Sequence, residues 1–400
     1  MVFPFRALEG PMVQAAPSAP RALAPLPSAA AIPAVIYCEG QFGVADGKTA
    51  HGLMRHSERY RIVAVIDSLL AGGDAGLLLD GVANGIPVVA DLAAATALAT
   101  AQTTAQTAAQ AGAPLQTLIY GMAPADGLYS PADRAVLLGA LRAGLNLVSG
   151  MREFLGDDPE FAATAARHLV TIEDVRRPPA LKDLRLFSGA IARAHCRRIA
   201  VLGTDGAIGK RTTATVLVQA LNDHGIRAVL VSTGQTGMIQ GGRYGLPLDA
   251  IPSQFCSGEV EAAVVLAYDT EHPQVIVIEG QGALSHPAYL SSTFILRGSQ
   301  PQAVILQHAP MRRQRCDFPG VAMPTPQSEI DLIEAFAPTR VIGMTLNHEG
   351  MDLAEIPAAI ALYEAELHIP VSDALTCPPE RLVHMVMRAF PELGAAAAVA

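Results

Sequence analysis

The amino-acid sequence predicts an α/β protein of two domains, each built on a parallel β-sheet. From residue 32 onwards, short aliphatic runs alternate with longer amphipathic or alanine-rich stretches, which is the pattern of repeated strand–helix units. A chain of 400 residues is long for a single core, and the alternation is interrupted once, around residues 178–196. Half of the residues are hydrophobic, mostly Ala, Val, Ile and Leu, as expected for buried parallel strands and alanine-rich helices.

The first domain is predicted to span residues 32–178, after a Pro/Ala-rich extension over residues 1–31 that we expect to be poorly ordered. The Ala/Thr/Gln-rich stretch over residues 92–113 predicts one exposed helix or an insertion. Other helices are predicted at residues 131–143 and 158–168, and strands at residues 34–37, 62–66, 87–89, 117–120, 146–148 and 170–172.

The second domain is predicted to span residues 198–400, after a linker over residues 179–197 that begins at the second residue of the pair Pro178-Pro179. Helices are predicted at residues 212–223 and near 260–268, and strands at residues 199–202, 228–231, 275–278, 303–306 and 340–344.

The composition narrows the classes of partner. Charged residues make up 16% of the chain and the net charge is −9, which argues against a nucleic acid or an anionic membrane as the main partner. No apolar run approaches the ~20 residues of a spanning helix, and the N-terminus lacks the pattern of a signal peptide. We therefore expect a cytoplasmic protein that binds small molecules. Its five cysteines are widely spaced without a CxxC motif, which favours neither a metal cluster nor a disulfide framework.

An apolar chain with few charges is also compatible with an obligate oligomer, whose interface needs apolar surface. We therefore expect a homo-oligomer. Sedimentation of the protein as a monomer at micromolar concentration would contradict this expectation.

A glycine-rich loop follows the first strand of the second domain. Its glycines let successive backbone N–H groups point at one anion, the helix N-terminus that follows adds its dipole, and a lysine supplies a mobile charge. The spacing is a variant of the P-loop pattern GxxxxGK[ST], because Thr204 stands at the first glycine and Arg211 follows Lys210. A glycine-rich turn that binds nothing is the alternative. The predicted phosphate-binding residues are Gly203, Thr204, Asp205, Gly206, Gly209, Lys210, Arg211, Thr212 and Thr213.

Glu279 closes the predicted strand 275–278. In a P-loop fold this position faces the phosphates, where a carboxylate can hold Mg²⁺, here together with Thr212, or act as a general base. The segment 232–237 also follows a strand but contains no carboxylate. Magnesium is therefore a hypothesis, which titration of ATP and CoA with and without Mg²⁺ would test.

Several motifs resemble one bacterial family. Residues 203–213, 232–237 and 278–289 are similar to the P-loop part of the D-glutamate N-acetyltransferase family, whose P-loop half is of the dethiobiotin-synthetase type. Residues 37–43, 48–53 and 65–68 are similar to its Rossmann-like half. The resemblance covers about residues 32–390 and implies acetyl transfer from acetyl-CoA to the amino group of D-glutamate or a similar acidic amino acid. The chain departs from the family pattern at Arg152, where a histidine is expected.

Such a reaction needs a base, a donor for the tetrahedral oxyanion and cations for the acceptor's carboxylates. The P-loop suits CoA, which carries a 3′-phosphate and a pyrophosphate. The candidate catalytic residues are Lys210, Glu279, Gln281 and His286. The candidate substrate residues are Gln235, Thr236, Arg312 and Arg313, the last two in a basic cluster with Arg315 that is otherwise a solvated face.

Two other functions remain open on the sequence alone. One is an ATP-dependent ligase or kinase of the dethiobiotin-synthetase type, with Lys210, Thr212 and Glu279 holding Mg-ATP; the other is a nucleotide-binding regulatory protein without turnover. The first domain carries Lys48, His51, Arg55 and His56 at near-helical spacing, which is either a polar helix surface or one side of a site between the domains. It lacks the GxGxxG pattern of a dinucleotide site, so NAD is not expected.

Overall fold

The computed structural model describes residues 31–105, 114–124, 126–316 and 318–397. Two parallel sheets, one in each half of the chain, confirm the predicted two-domain α/β architecture. Residues 1–30 of the predicted extension and residues 106–113 of the Ala/Thr/Gln-rich stretch lie outside the described residues. None of the helices in the described ranges combines the length and the hydropathy of a membrane-spanning helix.

Within its described residues, the first domain contains a six-stranded parallel sheet and five α-helices. The strands are β1 Ile32–Tyr37, β2 Tyr60–Ile66, β3 Val88–Val89, β4 Thr117–Tyr120, β5 Asn146–Ser149 and β6 Ile172–Asp174. The helices are α1 Lys48–Arg55, α2 Ala75–Asp80, α3 Leu92–Ala105, α4 Pro131–Arg142 and α5 Pro159–His168. The strand order β3-β2-β1-β4-β5-β6 is that of Rossmann-type sheets.

Local chemistry explains where the helices of this domain begin. Ser130 and Asp133 form a capping box at the start of α4, and the side chain of Asp158 accepts two backbone N–H groups at the start of α5; both devices satisfy donors that have no partner inside the helix. Leu169 ends α5 in the left-handed region, with φ 56°. The chain therefore turns before β6, which begins two residues after the predicted start of that strand.

In the part of the second domain that the structure describes, there are a seven-stranded parallel sheet, a two-stranded hairpin and eight α-helices. The strands are β7 Arg197–Gly203, β8 Ala228–Ser232, β9 Tyr244–Gly245, β10 Val275–Glu279, β11 Ala303–His308, β12 Gln314–Arg315, β13 Phe318–Ala322, β14 Arg340–Leu346 and β15 Val371–Asp373. The helices are α6 Lys210–Asp223, α7 Gln235–Ile239, α8 Ser253–Glu271, α9 Ser291–Ser299, α10 Pro326–Phe336, α11 Ile356–Leu367, α12 Glu380–Ala389 and α13 Glu392–Ala397.

The main sheet has the order β15-β14-β11-β7-β10-β8-β9, with β12 and β13 paired apart from it. The central strands β7, β10 and β11 are buried almost throughout, which is why their sequences are continuous aliphatic runs. The strand β7 lies between β10 and β11, so the loop that follows it emerges at the middle of the sheet edge.

The segment between the two sheets packs on the second domain. The side chain of Arg185 binds Glu259 of α8, with 2.8 Å between Nη2 and Oε2. The backbone N–H groups of Ser188 and Ile191 donate to Glu261 of the same helix, at 2.7 and 3.0 Å. Through these contacts, the later part of the predicted linker packs on α8 and belongs structurally to the second domain.

The two domains meet at the carboxyl ends of their strands, and two glycines permit the close approach. A Cβ on Gly52 of α1 would lie 2.5 Å from the Thr236 methyl group of α7. A Cβ on Gly150, which follows β5, would lie 2.5 Å from Cγ of Gln235. Because no other residue lacks a Cβ, glycine at these positions allows α7 to pack directly on the first domain.

Candidate functional site

The predicted phosphate loop connects β7 to α6 at the centre of the second sheet. Gly209 is the N-cap of α6 with φ 95°, a conformation that only glycine adopts without strain. Two hydroxyl groups attach the loop and the start of α6 to the end of β11. The Thr204 hydroxyl shares a 2.9 Å hydrogen bond with Nδ1 of His308, and the Thr213 hydroxyl donates to Gln307 at 2.6 Å. The structure therefore brings the loop and the helix N-terminus together as the sequence predicts.

Lys210 lies at the first position of α6 and is buried. Its ammonium donates to the backbone carbonyl of Asp205 within the loop. Burial, together with the nearby charges of Arg312 and Lys48, lowers the lysine pKa to about 8, although the carboxylates of Asp205 and Glu279 act in the opposite direction. A desolvated ammonium in a loop of this kind is suited to bind an anionic phosphate.

Arg211 stands at the position where the common P-loop pattern has a hydroxyl. Its Nη1 donates to the Ser232 hydroxyl at 2.6 Å and lies 3.6 Å from Oε2 of Glu279. In P-loop proteins the hydroxyl after the lysine binds Mg²⁺, and a strand-end carboxylate supports that ion. Here the guanidinium of Arg211 faces the carboxylate, which weighs against Mg²⁺ at Glu279. The magnesium pair of Thr212 and Glu279 stays a prediction.

Glu279 lies at the carboxyl end of β10 and is 6% exposed. Burial raises the pKa of its carboxyl group, while Arg211, the N–H of Thr233 and Lys210 lower it by smaller amounts. The N–H of Thr233 donates to Oε2 at 3.3 Å. A buried carboxyl with a raised pKa beside a phosphate loop is suited to act as a general base near neutral pH.

The loop after β8 lies beside Glu279. Gln281 donates its side-chain N–H to the carbonyl of Thr233, so its amide is engaged in holding this loop. Thr236 shares a 3.2 Å hydrogen bond between hydroxyls with Thr49 of the first domain. Gln235 is buried and faces the first domain. Gln281 therefore lies beside the loop that precedes Gln235 and Thr236, and these two residues lie where the two domains meet.

The basic cluster after β11 closes the phosphate loop from one side. Arg312 donates to Oδ2 of Asp205 at 3.1 Å and to the carbonyl of Gly206 at 2.8 Å, and it also pairs with Glu349. Arg315 is buried and donates to the carbonyl of Thr204 at 3.2 Å. Arg313 is exposed. Two of the three guanidiniums, those of Arg312 and Arg315, bind the loop itself. They therefore stabilise the loop, whereas the sequence suggests that this cluster binds carboxylates of the substrate.

His286 is buried against the other face of Asp205. Its Nδ1 accepts the backbone N–H groups of Ala288 and Tyr289, each at 3.2 Å, and its ring stacks on Tyr289 with centroids 4.4 Å apart. Nε2 lies 3.9 Å from Oδ1 of Asp205. Since Nδ1 already accepts two donors, this geometry favours Glu279 over His286 as the proton acceptor.

The polar face of α1 divides between the site and local structure. Lys48 acts on the pKa of Lys210, so the two ammonium groups face the same region. His51 instead contacts the carbonyl of Phe42 at 2.7 Å, Arg55 pairs with Asp80, and His56 lies 3.2 Å from Glu58. Of these four residues, Lys48 is the one whose charge acts on Lys210.

Three functional candidates were not predicted as site residues. Gln240 accepts a hydrogen bond from Nε of Arg211 at 2.7 Å and donates to the carbonyls of Gly52 and His56, so it connects the phosphate loop to α1. Arg176 and Asp249 form a charged pair across the domain boundary, with 3.3 Å between Nη2 and Oδ2. Arg176 follows a predicted strand, a position at which ligand-binding residues are common, so the sequence could have indicated it. Gln240 and Asp249 lie in no such local pattern.

Comparisons with known proteins agree with this architecture. A family model described as a domain of unknown function (DUF1611_C), P-loop domain, matches residues 185–383, and one described as DUF1611_N, Rossmann-like domain, matches residues 68–178. A crystal structure of a DUF1611 family protein from Anabaena variabilis has a TM-score of 0.79 and 32% sequence identity, and the match covers 89% of this chain and 99% of that one.

Two curated relatives carry the name D-glutamate N-acetyltransferase. The protein from Tritonibacter scottomollicae is 32% identical over 279 residues, which cover 68% of this chain and 81% of the relative. The protein from a Pseudoalteromonas species is 29% identical over 246 residues, which cover 60% and 72%. These names support an enzyme of the acyltransferase class. The chain belongs to the DUF1611 family, whose Rossmann-like and P-loop domains are the two halves of this fold.

Proposed function

We propose that this chain is an N-acetyltransferase that transfers the acetyl group of acetyl-CoA to the amino group of D-glutamate. The observation that carries the proposal is the position of a buried carboxyl, Glu279, beside a cationic phosphate loop with an arginine at the usual magnesium position. The loop suits the phosphates of CoA, and the carboxyl suits an acceptor that must lose a proton. The names of two relatives at about 30% identity supply the reaction class and the acceptor.

In this mechanism Lys210 and the N–H groups of the loop hold phosphate oxygens of the donor. Glu279 takes a proton from the acceptor's ammonium, and the neutral amine attacks the thioester carbonyl. The backbone N–H groups of Gly280 and Gly282, which follow Glu279, are the proposed donors to the tetrahedral oxyanion. The attack forms the N–C bond, and collapse of the tetrahedral intermediate breaks the C–S bond. The leaving thiolate of CoA takes up the proton that Glu279 holds, and the second proton of the original ammonium passes from nitrogen to solvent.

An ATP-dependent ligase or kinase is the second candidate, because strand, glycine loop, lysine and helix follow the P-loop order. The arrangement of Arg211 against Glu279 is the observation that weighs against it, since such enzymes place Mg²⁺ between nucleotide and protein. Nucleotide binding without turnover is the third.

Product identity separates these functions. The pure protein is incubated with acetyl-CoA and either D- or L-glutamate while release of the CoA thiol is followed, and with ATP and the same amino acids while ADP and phosphate are followed. We expect thiol release with D-glutamate. ADP or phosphate that appears only with a co-substrate would establish the second candidate instead.

The role of Glu279 is tested by Glu279→Gln, which keeps the shape of the side chain and removes the base. We expect kcat to fall by about 10²- to 10⁴-fold while the Kd of acetyl-CoA changes little. Glu366→Gln, at an exposed glutamate of α11 in the same domain, is the matched control. An equal fall in both variants, or a loss of donor affinity without a loss of rate, would contradict the assignment.

A further inference from the structure

Two arginines of the first domain face one carboxylate of the second. Arg176, which follows β6, lies 3.3 Å from Oδ2 of Asp249. Arg152, which follows β5, lies 3.6 Å from the same oxygen. Asp249 belongs to the short 3₁₀ turn after β9. The group therefore combines three elements at the carboxyl ends of their strands, the edge at which parallel sheets bind ligands.

The charges of this group do not balance. Two guanidiniums and one carboxylate leave one positive charge, and the Arg176 side chain is only 12% exposed. Burial lowers the pKa of Arg176, and the charge of Arg152 adds to this effect, so a further anion would be stabilised here. Among the described residues, Oδ1 of Asp249 is a buried oxygen with no hydrogen-bond partner. An unpaired buried acceptor is costly unless a donor reaches it.

The group is continuous with the phosphate-loop site. Gln235 accepts hydrogen bonds from Nε and Nη2 of Arg176, at 3.2 and 2.7 Å. Two residues earlier, the N–H of Thr233 donates to Glu279, and the carbonyl of Thr233 accepts the N–H of Leu248, the neighbour of Asp249. One short loop therefore contacts both the proposed base and the arginine–aspartate group.

We propose that Arg152, Arg176 and Asp249 form the acceptor subsite, which binds an amino acid by its zwitterionic end. The two guanidiniums bind the carboxylate, and Oδ1 of Asp249 accepts an N–H of the ammonium. The proposal rests on the proposed function for the identity of the acceptor, but it concerns binding and does not depend on turnover. It assigns carboxylate recognition to the domain interface, in place of the Arg312–Arg313 pair.

Calorimetric binding of D-glutamate and of glutarate to the full chain tests the subsite, because glutarate has both carboxylates but no ammonium. Wild type should bind D-glutamate at least tenfold more tightly than glutarate. Arg176→Lys and Arg152→Ala should each raise the Kd of D-glutamate by about tenfold or more, which is the loss expected for a charge-assisted hydrogen bond. Asp249→Asn should remove most of the preference for D-glutamate over glutarate.

Arg142→Ala is the matched control, because Arg142 is a half-exposed arginine of the same domain that pairs with Glu160 on the surface. It should bind D-glutamate as wild type does. Acetyl-CoA affinity and the thermal midpoint of each variant report whether the fold is intact. Arg176→Lys and Arg152→Ala with wild-type D-glutamate affinity, or Asp249→Asn with an unchanged preference, would overturn the proposal.

The failure of this proposal is distinguishable from failure of the proposed function. If D-glutamate is acetylated while the variants keep their KM, the subsite is wrong and the function stands. If D-glutamate binds through these residues but no thiol is released, the function is wrong and the subsite stands. If wild type binds neither compound, the subsite is overturned whatever the reaction proves to be.

Discussion

Lys210 is a buried cation whose charge depends on pH within the range of ordinary assays. Its pKa is lowered to about 8, chiefly by burial, so below pH 8 the free protein carries the charge and above it the charge is progressively lost. Phosphates of the donor favour the charged form, and binding above pH 8 therefore has to take up a proton. Affinity for the donor should therefore decrease as the pH rises above 8.

We expect the Kd of acetyl-CoA to be flat below about pH 8 and to rise by up to about tenfold per pH unit above it, the slope for one coupled proton. Calorimetry or equilibrium dialysis between pH 6.5 and about 9.5 measures this. Lys210→Met should bind weakly and without that slope. A wild-type affinity that stays constant to pH 9.5, or a slope that persists in Lys210→Met, would show that another group controls binding.

At the scale of elements, we expect the first turn of α6 to supply, through Arg211, the positive charge that Mg²⁺ supplies in other P-loop proteins. Arg211 occupies the position after the lysine, bonds to Ser232 and Gln240, and faces Glu279. We expect donor binding to be the same in EDTA and in millimolar Mg²⁺. Arg211→Ser restores the common P-loop hydroxyl and frees the carboxylate, so this variant should bind ATP more tightly with Mg²⁺ than without it, by about tenfold.

Arg211→Lys keeps a cation at the same position and should remain indifferent to Mg²⁺. If donor binding by the wild-type protein requires Mg²⁺, Arg211 does not take the place of that ion. The same conclusion follows if Arg211→Ser and Arg211→Lys respond alike.

The element scale also shows why sequence reasoning succeeded in one part and failed in another. Buried parallel strands such as β7 and β10 are uninterrupted aliphatic runs, and the phosphate loop is a local pattern, so both were predictable. Two short strands, β9 at Tyr244–Gly245 and β15 at Val371–Asp373, contain no aliphatic run, so the sequence did not predict them. Arg152, Arg176 and Asp249 come from three loops, and only the packing of the two domains makes them neighbours.

On the scale of the whole molecule, the site depends on how closely the domains pack. The phosphate loop reaches the first domain through Arg211, Gln240 and the carbonyl of Gly52, while Gln235 lies on Gly150 and binds Arg176. The proposed donor and acceptor regions therefore share one interface between the domains. A change that separates the domains should weaken the acceptor region without altering any residue that touches either substrate.

Gly150→Ala makes that change. Its methyl group would lie 2.5 Å from Cγ and 2.7 Å from Cβ of Gln235, too close for a real contact, so α7 must move away from β5. We expect a loss of about 1–3 kcal/mol of stability, the usual cost of overpacking, with a lower thermal midpoint and weaker binding of D-glutamate. Gly139→Ala, inside α4 with no atom within 4 Å of the new Cβ, should raise stability by up to ~1 kcal/mol.

The comparison isolates the interface because both variants add one methyl group to a glycine of the first domain. Gly139→Ala adds the methyl group inside a helix where no atom obstructs it, so a loss of stability in Gly150→Ala beside a gain in Gly139→Ala indicates the clash with Gln235. If Gly150→Ala is as stable as Gly139→Ala and binds D-glutamate equally well, α7 does not pack against β5 in solution. The acceptor subsite would then lose the contact that joins it to the phosphate loop.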